Sequence, residues 1–251
     1  MQIVHCSPFR NETGQLLRRA RKDAAQSLGR DWKSILDGED QAAKMLANAL
    51  DDSYVLIRNL GLPGLDHDAD LILVGTTGLW AIEVTNLGGL HKAEGAHWLA
   101  FNPGAVAFEP VAPNLVERAR QSGSAIYAYL HRQNMPVPWV NPMLLCINPK
   151  MDVRVEDTPV AVLNRTDIPG FIANSAKAFE QILNVDDVKT VSESLLALSQ
   201  TSTAKVRRPR RLPTLGLMRP ELIVIGLLAL MNVCLLGGFA LLIWRNTLTG
   251  P

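Results

Sequence analysis

Three acidic side chains are spaced so that they can act together: Asp70, Glu83 and Glu39. Asp70 opens the apolar run DLILVG, Glu83 stands late in LWAIEVTN, and a Thr76-Thr77-Gly78 turn lies between the two runs. Two β-branched apolar runs around such a turn predict a hairpin. Side chains alternate faces along a strand, so Glu83 and Thr85 share a face opposite to Ile82 and Val84, and the hairpin brings Asp70 near Glu83. Glu39, near the start of an expected helix, would be a third carboxylate. Clustered carboxylates serve to hold a hard cation such as Mg²⁺ or Mn²⁺ against phosphate oxygens. Left unpaired they repel one another and titrate upward. On spacing alone, three separate solvated acids are the plainer reading.

The elements that must position these groups alternate between helix and strand. A helical stripe of Leu16, Leu17, Ala20, Ala24, Leu28 and Trp32 runs from Glu12 to Leu36, and Gly38 is expected to break it. A second helix is expected to start at GEDQ, with acids in its first turn. SYVLIRNL reads as a strand, NLVERARQSGSAIYAYLHRQ as an amphipathic helix after Pro113, and WVNPMLLCIN and PVAVLN as strands. IPGFIANSAKAFEQIL and VDDVKTVSESLLALSQ read as helices. The predicted fold is α/β, a mixed central sheet flanked by helices.

Residues 38 to 98 resemble the nuclease-related domain (NERD) family, a branch of the PD-(D/E)XK nuclease-like superfamily. The resemblance rests on Gly38-Glu39 opening a helix, on YVLIRNLGLP, on DADLILVGTTGLWAIEVTNLGG and on Trp98, and extends loosely over residues 35 to 185. It implies a restriction-endonuclease-like fold, DNA as substrate, and Glu39, Asp70 and Glu83 as ligands of Mg²⁺ or Mn²⁺. Asp70 matches the first strand acid best, with Asp68 and Asp66 as rivals flanking His67. The family's lysine falls on Thr85, whose neutral hydroxyl cannot stabilise charge building on a phosphorane. Loss of such a stabiliser costs about 10²- to 10³-fold in rate. A displaced ammonium is sought in Lys92 or Lys44. The family's helix glutamine aligns with Arg118, a candidate phosphate contact, or in the other register with Glu117.

Other chemistries find little support. Cys6, Cys146 and Cys234 fit neither a disulfide framework nor a zinc site. His67, His91 and His97 share no i,i+4 spacing on an identifiable helix, and neither a Walker loop, a GxSxG elbow nor a Ser-His-Asp arrangement is apparent. The formal charge of +1 does not announce a nucleic-acid binder.

The last part of the chain has a different character. Residues 222–244, LIVIGLLALMNVCLLGGFALLIW, carry no charge over 23 positions, roughly 34 Å of helix, enough to cross a hydrocarbon core. Arg207, Arg208, Arg210, Arg211 and Arg219 precede this run and only Arg245 follows it. The expected topology is therefore a single-pass transmembrane helix with the large N-terminal domain cytoplasmic, suiting a prokaryotic inner membrane. Gly226, Gly237 and Gly238 offer a face for self-association within the bilayer. The expected division is an N-terminal helical segment (1–34), a NERD-like domain (35–198), a basic Pro-containing linker (199–221), the transmembrane helix (222–244) and a short tail (245–251).

Overall fold

The computed structural model describes residues 1–205 apart from 12, 19, 136, 169 and 172–181. The 222–244 run and most of IPGFIANSAKAFEQIL lie outside the described residues. Among the described residues no helix is long and apolar enough to cross a membrane.

A six-stranded mixed sheet forms the centre, in the order β1 (Gln2–His5), β2 (Val55–Gly61), β3 (Asp68–Gly75), β4 (Gly78–Thr85), β8 (Asn141–Cys146) and β10 (Ala161–Asn164). β2, β3 and β4 are antiparallel neighbours, while β1, β8 and β10 join in parallel. Alternation divides the side chains. Leu71, Leu73, Trp80, Ile82 and Val84 pack with α2 (Trp32–Ala49) on one face. Ile72, Val74, Leu79 and Ala81 pack on the other with Ile126 and Leu130 of α3 (Leu115–Arg132) and with Val188, Val191 and Leu195 of α4 (Val185–Lys205). Even positions of β3 and odd positions of β4 therefore face α3, which places Asp70 and Glu83 on the α3 side. A second sheet, ordered β7 (Ala107–Pro110), β6 (His97–Asn102), β5 (Gly89–Glu94) and β9 (Met151–Glu156), follows the hairpin.

The amino terminus corrects the sequence reading. Residues 1–34 are not a helical segment: β1 pairs with β2, and helix α1 covers only Ala20–Leu28. Gly38 is no break either, but a buried interior position of α2. Glycine inside a helix costs about 1 kcal/mol relative to alanine. The reason for it is close approach, since a Cβ at Gly38 would stand 2.8 Å from Asn86 Cβ. Asn86, just past β4, donates through Nδ2 to the Ser34 carbonyl at 3.0 Å, pinning α2 to the end of that strand. The acids 39 and 40 thus lie mid-helix, with Glu39 at the strand ends. GLHKAEGAHW, which carries Lys92, is the β5–β6 hairpin.

Candidate active site

The hairpin register sets the geometry. Leu71 pairs with Ile82 and Gly75 with Gly78, so Asp70 falls opposite Glu83 as the ladder ends. The tight turn depends on Gly75, where a Cβ would run into the Tyr54 ring, and on Gly78, whose φ is 128°. Asp70 Oδ2 accepts from the Val84 amide at 2.8 Å, which locks its carboxyl onto β4. Of the rival acids, Asp66 is fully exposed and bonded to His67, and Asp68 sits across from Gly61 at the strand's start. Asp70 is the one that meets Glu83.

α3 supplies the next groups. Asn114 caps it, its side chain accepting from the Glu117 amide at 3.2 Å, and Gly123 lets the helix lie close to Ala81. Arg118 and Ser122, one turn apart, therefore project to the same side. Arg118 Nη2 lies 3.2 Å from Glu83 Oε2 and 4.0 Å from Asp70 Oδ1. The ion pair is imperfect, because Glu83 Oε2 and Arg118 Nε are both buried without a hydrogen-bond partner. Ser122 Oγ donates to Glu83 Oε1 at 3.2 Å. Glu117, the other register, is turned away and holds Arg120 at 2.7 Å.

Electrostatics leave this pair unfinished. Glu83 is wholly buried, and desolvation first, then the Asp70 charge, push its carboxyl well above the usual range. Desolvation also raises Asp70, opposed mainly by Arg118. Of the two, Glu83 is pushed up both by burial and by its neighbour's charge, Asp70 by burial alone.

Glu39 approaches from α2 but stands off. Asn59 Nδ2 donates to its Oε2 at 2.9 Å, and Arg58 Nη2 lies 3.8 Å away. Asn59, across from Asp70 in the register, adopts φ 54°, which lets a β2 side chain turn toward α2. Burial, followed by the Asp70 charge, pushes Glu39 up to about 8. Glu39, Asp70 and Glu83 do not close into one cage: among the described residues no three His, Cys, Asp or Glu side chains are arranged to hold a metal ion. Arg58 and Asn59 keep the third carboxyl for themselves. What converges is a pair, with Glu39 within electrostatic reach.

The sought ammonium is not at the acids. Lys92 Nζ is held by Glu94 at 3.0 Å and Glu156 at 2.8 Å, across the parallel β5–β9 pair, and Lys44 is exposed on α2. Thr85 is buried and its Oγ1 accepts from the Leu87 amide at 3.3 Å, an end-of-strand turn. The cation beside the carboxylates is Arg118. Sequence reasoning missed two further groups. Arg10, far from Asp40 in sequence, reaches Asp40 Oδ2 at 3.0 Å and the Leu36 carbonyl at 3.3 Å. Arg58 reaches Asp40 Oδ1 at 2.7 Å. The dispersed residues Asp66, His67 and Ser122 do come together, contrary to the sequence reading, although Ser122 is too buried to serve as a nucleophile.

Residues 36–147 match the family model of NERD, the nuclease-related domain. That span runs from α2 to the end of β8, so it contains Glu39, Asp70, Glu83 and Arg118, while Arg10 lies outside it. No curated protein and no solved structure matches the chain.

Proposed function

We propose that the chain is a membrane-anchored, metal-dependent phosphodiesterase acting on DNA, with Asp70, Glu83 and Arg118 as its reacting centre. The observation that carries this reading is the convergence of Asp70 and Glu83 across the hairpin, with a guanidinium 3.2 Å from the inner acid. The donor set suits a hard divalent ion, because two carboxylates face each other and Glu83 Oε2 is a buried acceptor without a hydrogen-bond partner. Mg²⁺ or Mn²⁺ held by Asp70 and Glu83 would polarise a phosphate and acidify water.

The chain's own groups divide the remaining work. Asp70 and Glu83 are the carboxylates placed to accept the proton of an attacking water. Arg118, always charged, offers planar donors to phosphate oxygens, the service a lysine at position 85 would otherwise give. Thr85 takes no part beyond closing the turn after β4. Glu39 lies near enough to Asp70 to feel its charge and is held back by Asn59 and Arg58. The 222–244 run tethers the domain to the bilayer, and the arginines before it keep the domain on the cytoplasmic side.

The test uses the full chain in lipid nanodiscs with Mg²⁺ or Mn²⁺, on single- and double-stranded DNA. The expected result is cleavage that requires the metal and disappears in Glu83→Ala. Thr85 favours a second reading, a nuclease-related fold that binds nucleic acid or a protein partner without cutting it. Salt-sensitive DNA binding with no cleavage supports that reading. The absence of both cleavage and binding sinks the assignment to DNA altogether.

A further inference from the structure

Beside the row that meets the acids, α3 carries a second row of side chains, Arg120, Ser124, Tyr127 and His131, recurring at helical spacing. Arg120, Ser124 and Tyr127, with Pro138, Trp139 and Pro142 from the stretch that enters β8, line an open groove of about 260 Å³. The helix comes close to that stretch at Gly123, where a Cβ would touch Pro142 and the Val140 carbonyl at 3.6 Å. Trp139 is 48% exposed and Tyr127 40%, and among the described residues no other Trp, Tyr or Phe is exposed. Exposed rings gathered in one place mark a binding surface. The polar groups of the row can all donate: a guanidinium, two hydroxyls, and the His131 ring tilted against Tyr127 at 5.9 Å. No carboxylate lines the groove, and Glu117 aligns Arg120 through Nε and Nη2 at 2.8 and 2.7 Å while that side chain stays 48% exposed. A peptide backbone brings donors and acceptors alike, whereas a phosphodiester backbone brings acceptors only. The second fits this row.

We propose that this groove binds the unpaired bases of single-stranded DNA, with Trp139 and Tyr127 stacking on base faces and Arg120 and Ser124 meeting the phosphates between them. Aromatic rings accept the face of any base, but only a base that has left its duplex neighbours offers one. The groove also lies where a strand leaving the reacting centre would pass. Arg118 meets the acids, and from position 118 to position 127 the same helix rises about 14 Å. Across the sheet Pro142 pairs with Ala81, two positions before Glu83 on β4. A strand with a phosphate at Asp70 and Glu83 thus runs along α3 onto the two rings. The substrate class is set accordingly: single strands, or the unpaired end of a duplex. That the ligand is DNA rests on the phosphodiesterase reading.

The experiment measures binding by fluorescence anisotropy, with the full chain in nanodiscs and EDTA present so that no cleavage competes. The probes are a labelled oligodeoxythymidylate and the same backbone with abasic sites in place of its bases. The parent is expected to bind the thymidylate more tightly than the abasic strand. Trp139→Ala and Tyr127→Ala each weaken thymidylate binding by about 5- to 100-fold, the loss of one stacked base, and leave abasic binding within about twofold. Trp139→Phe, which keeps a ring, retains most of the affinity. Melting curves check each fold, and either alanine variant carries the test if the other does not fold. Equal losses on both probes, no loss on either, or a parent that does not prefer the thymidylate overturns the proposal. So does an arginine- and proline-containing peptide that binds through Trp139 where the thymidylate does not, which makes the groove a protein-docking site. Ring-dependent binding by a chain that never cleaves removes the phosphodiesterase reading and leaves the groove. Cleavage of single strands at a KM that Trp139→Ala does not raise removes the groove and leaves the phosphodiesterase.

Discussion

Glu39 and Asp40 are adjacent on α2, yet they belong to opposite kinds of electrostatics. Asp40 is gripped by two guanidiniums, Arg10 at 3.0 Å and Arg58 at 2.7 Å, the first also tied to the Gly14 and Leu36 carbonyls. With Glu39 beside them, two buried arginines face two acids, although Arg10 Nε and Arg58 Nε are themselves buried without a hydrogen-bond partner. On the far side of Asn59, Asp70 and Glu83 share one guanidinium at 4.0 and 3.2 Å, and buried acceptor capacity is left over. The first cluster joins the amino-terminal region and β2 to α2; the second joins α3 to the β3–β4 hairpin through an excess of acid. A cluster in which the arginines match the acids holds the fold, whereas one with an excess of acid is a candidate site for a cation.

The contrast breaks most visibly at Arg58. Arg58→Met removes the guanidinium beside Glu39, leaves Asp40 to Arg10 alone, and is expected to destabilise the domain by about 3–5 kcal/mol. Chemical denaturation measures the loss. A loss below about 1 kcal/mol for Arg58→Met would put the two clusters in one class.

The opposite response is expected at Glu83. Glu83→Gln is neutral, keeps the volume and removes the repulsion with Asp70, so cleavage drops by about 10²- to 10³-fold. The melting temperature rises by about 2–4 °C, the shift that roughly 1 kcal/mol gives in a domain of this size. A variant both inactive and less stable would show that the acid holds the fold together after all.

How far these clusters were legible in the sequence follows from how their partners are spaced. The β3–β4 hairpin and the Asp70–Glu83 match came through because strand periodicity and a glycine turn act within sixteen positions. Helix α3 with Arg118 was legible for the same reason, its stripe being local. Gly38 misled because glycine's propensity speaks for a break, while its packing against Asn86 becomes visible only once β4 is in place. Arg10 and Arg58 left no signal, since their partners lie on a different element and only the folded sheet brings them together. β1 and β9 were missed alike: each short strand is completed by a parallel neighbour far along the chain.

A pH titration sharpens the comparison from the side of Glu39. Its carboxyl has an ordinary value of 4.5 unfolded and is pushed up to about 8 by burial and Asp70. The folded state therefore binds a proton that the unfolded chain has already lost between those values. The stability this proton contributes is fully present below about 4.5 and is lost as pH rises through about 8. The slope for one such group is about 1.4 kcal/mol per pH unit at most. Glu39→Gln should flatten the curve of unfolding free energy against pH over that window. A curve unchanged by the substitution places the proton elsewhere. Added Mg²⁺ at pH 8 should raise the melting temperature of the parent chain and leave Glu83→Gln unmoved, since binding to the folded state alone stabilises it.

The smallest effect is expected at Lys92, and its smallness is informative. Its ammonium has two acid partners, Glu94 and Glu156, which raise its affinity for the proton, first through Glu156 and then through Glu94. The three side chains lie on β5 and β9 in the second sheet, and solvent screens pairs of this kind. Lys92→Met should leave the metal-dependent cleavage rate unchanged and move the melting temperature no more than the error of the measurement. Arg118→Met in the same assay should lose cleavage, because the guanidinium is the positive charge that the hairpin acids meet. If instead the lysine variant lost activity while its fold survived, the ammonium would have to leave Glu94 and Glu156 to work, and the role given to Arg118 would pass to Lys92.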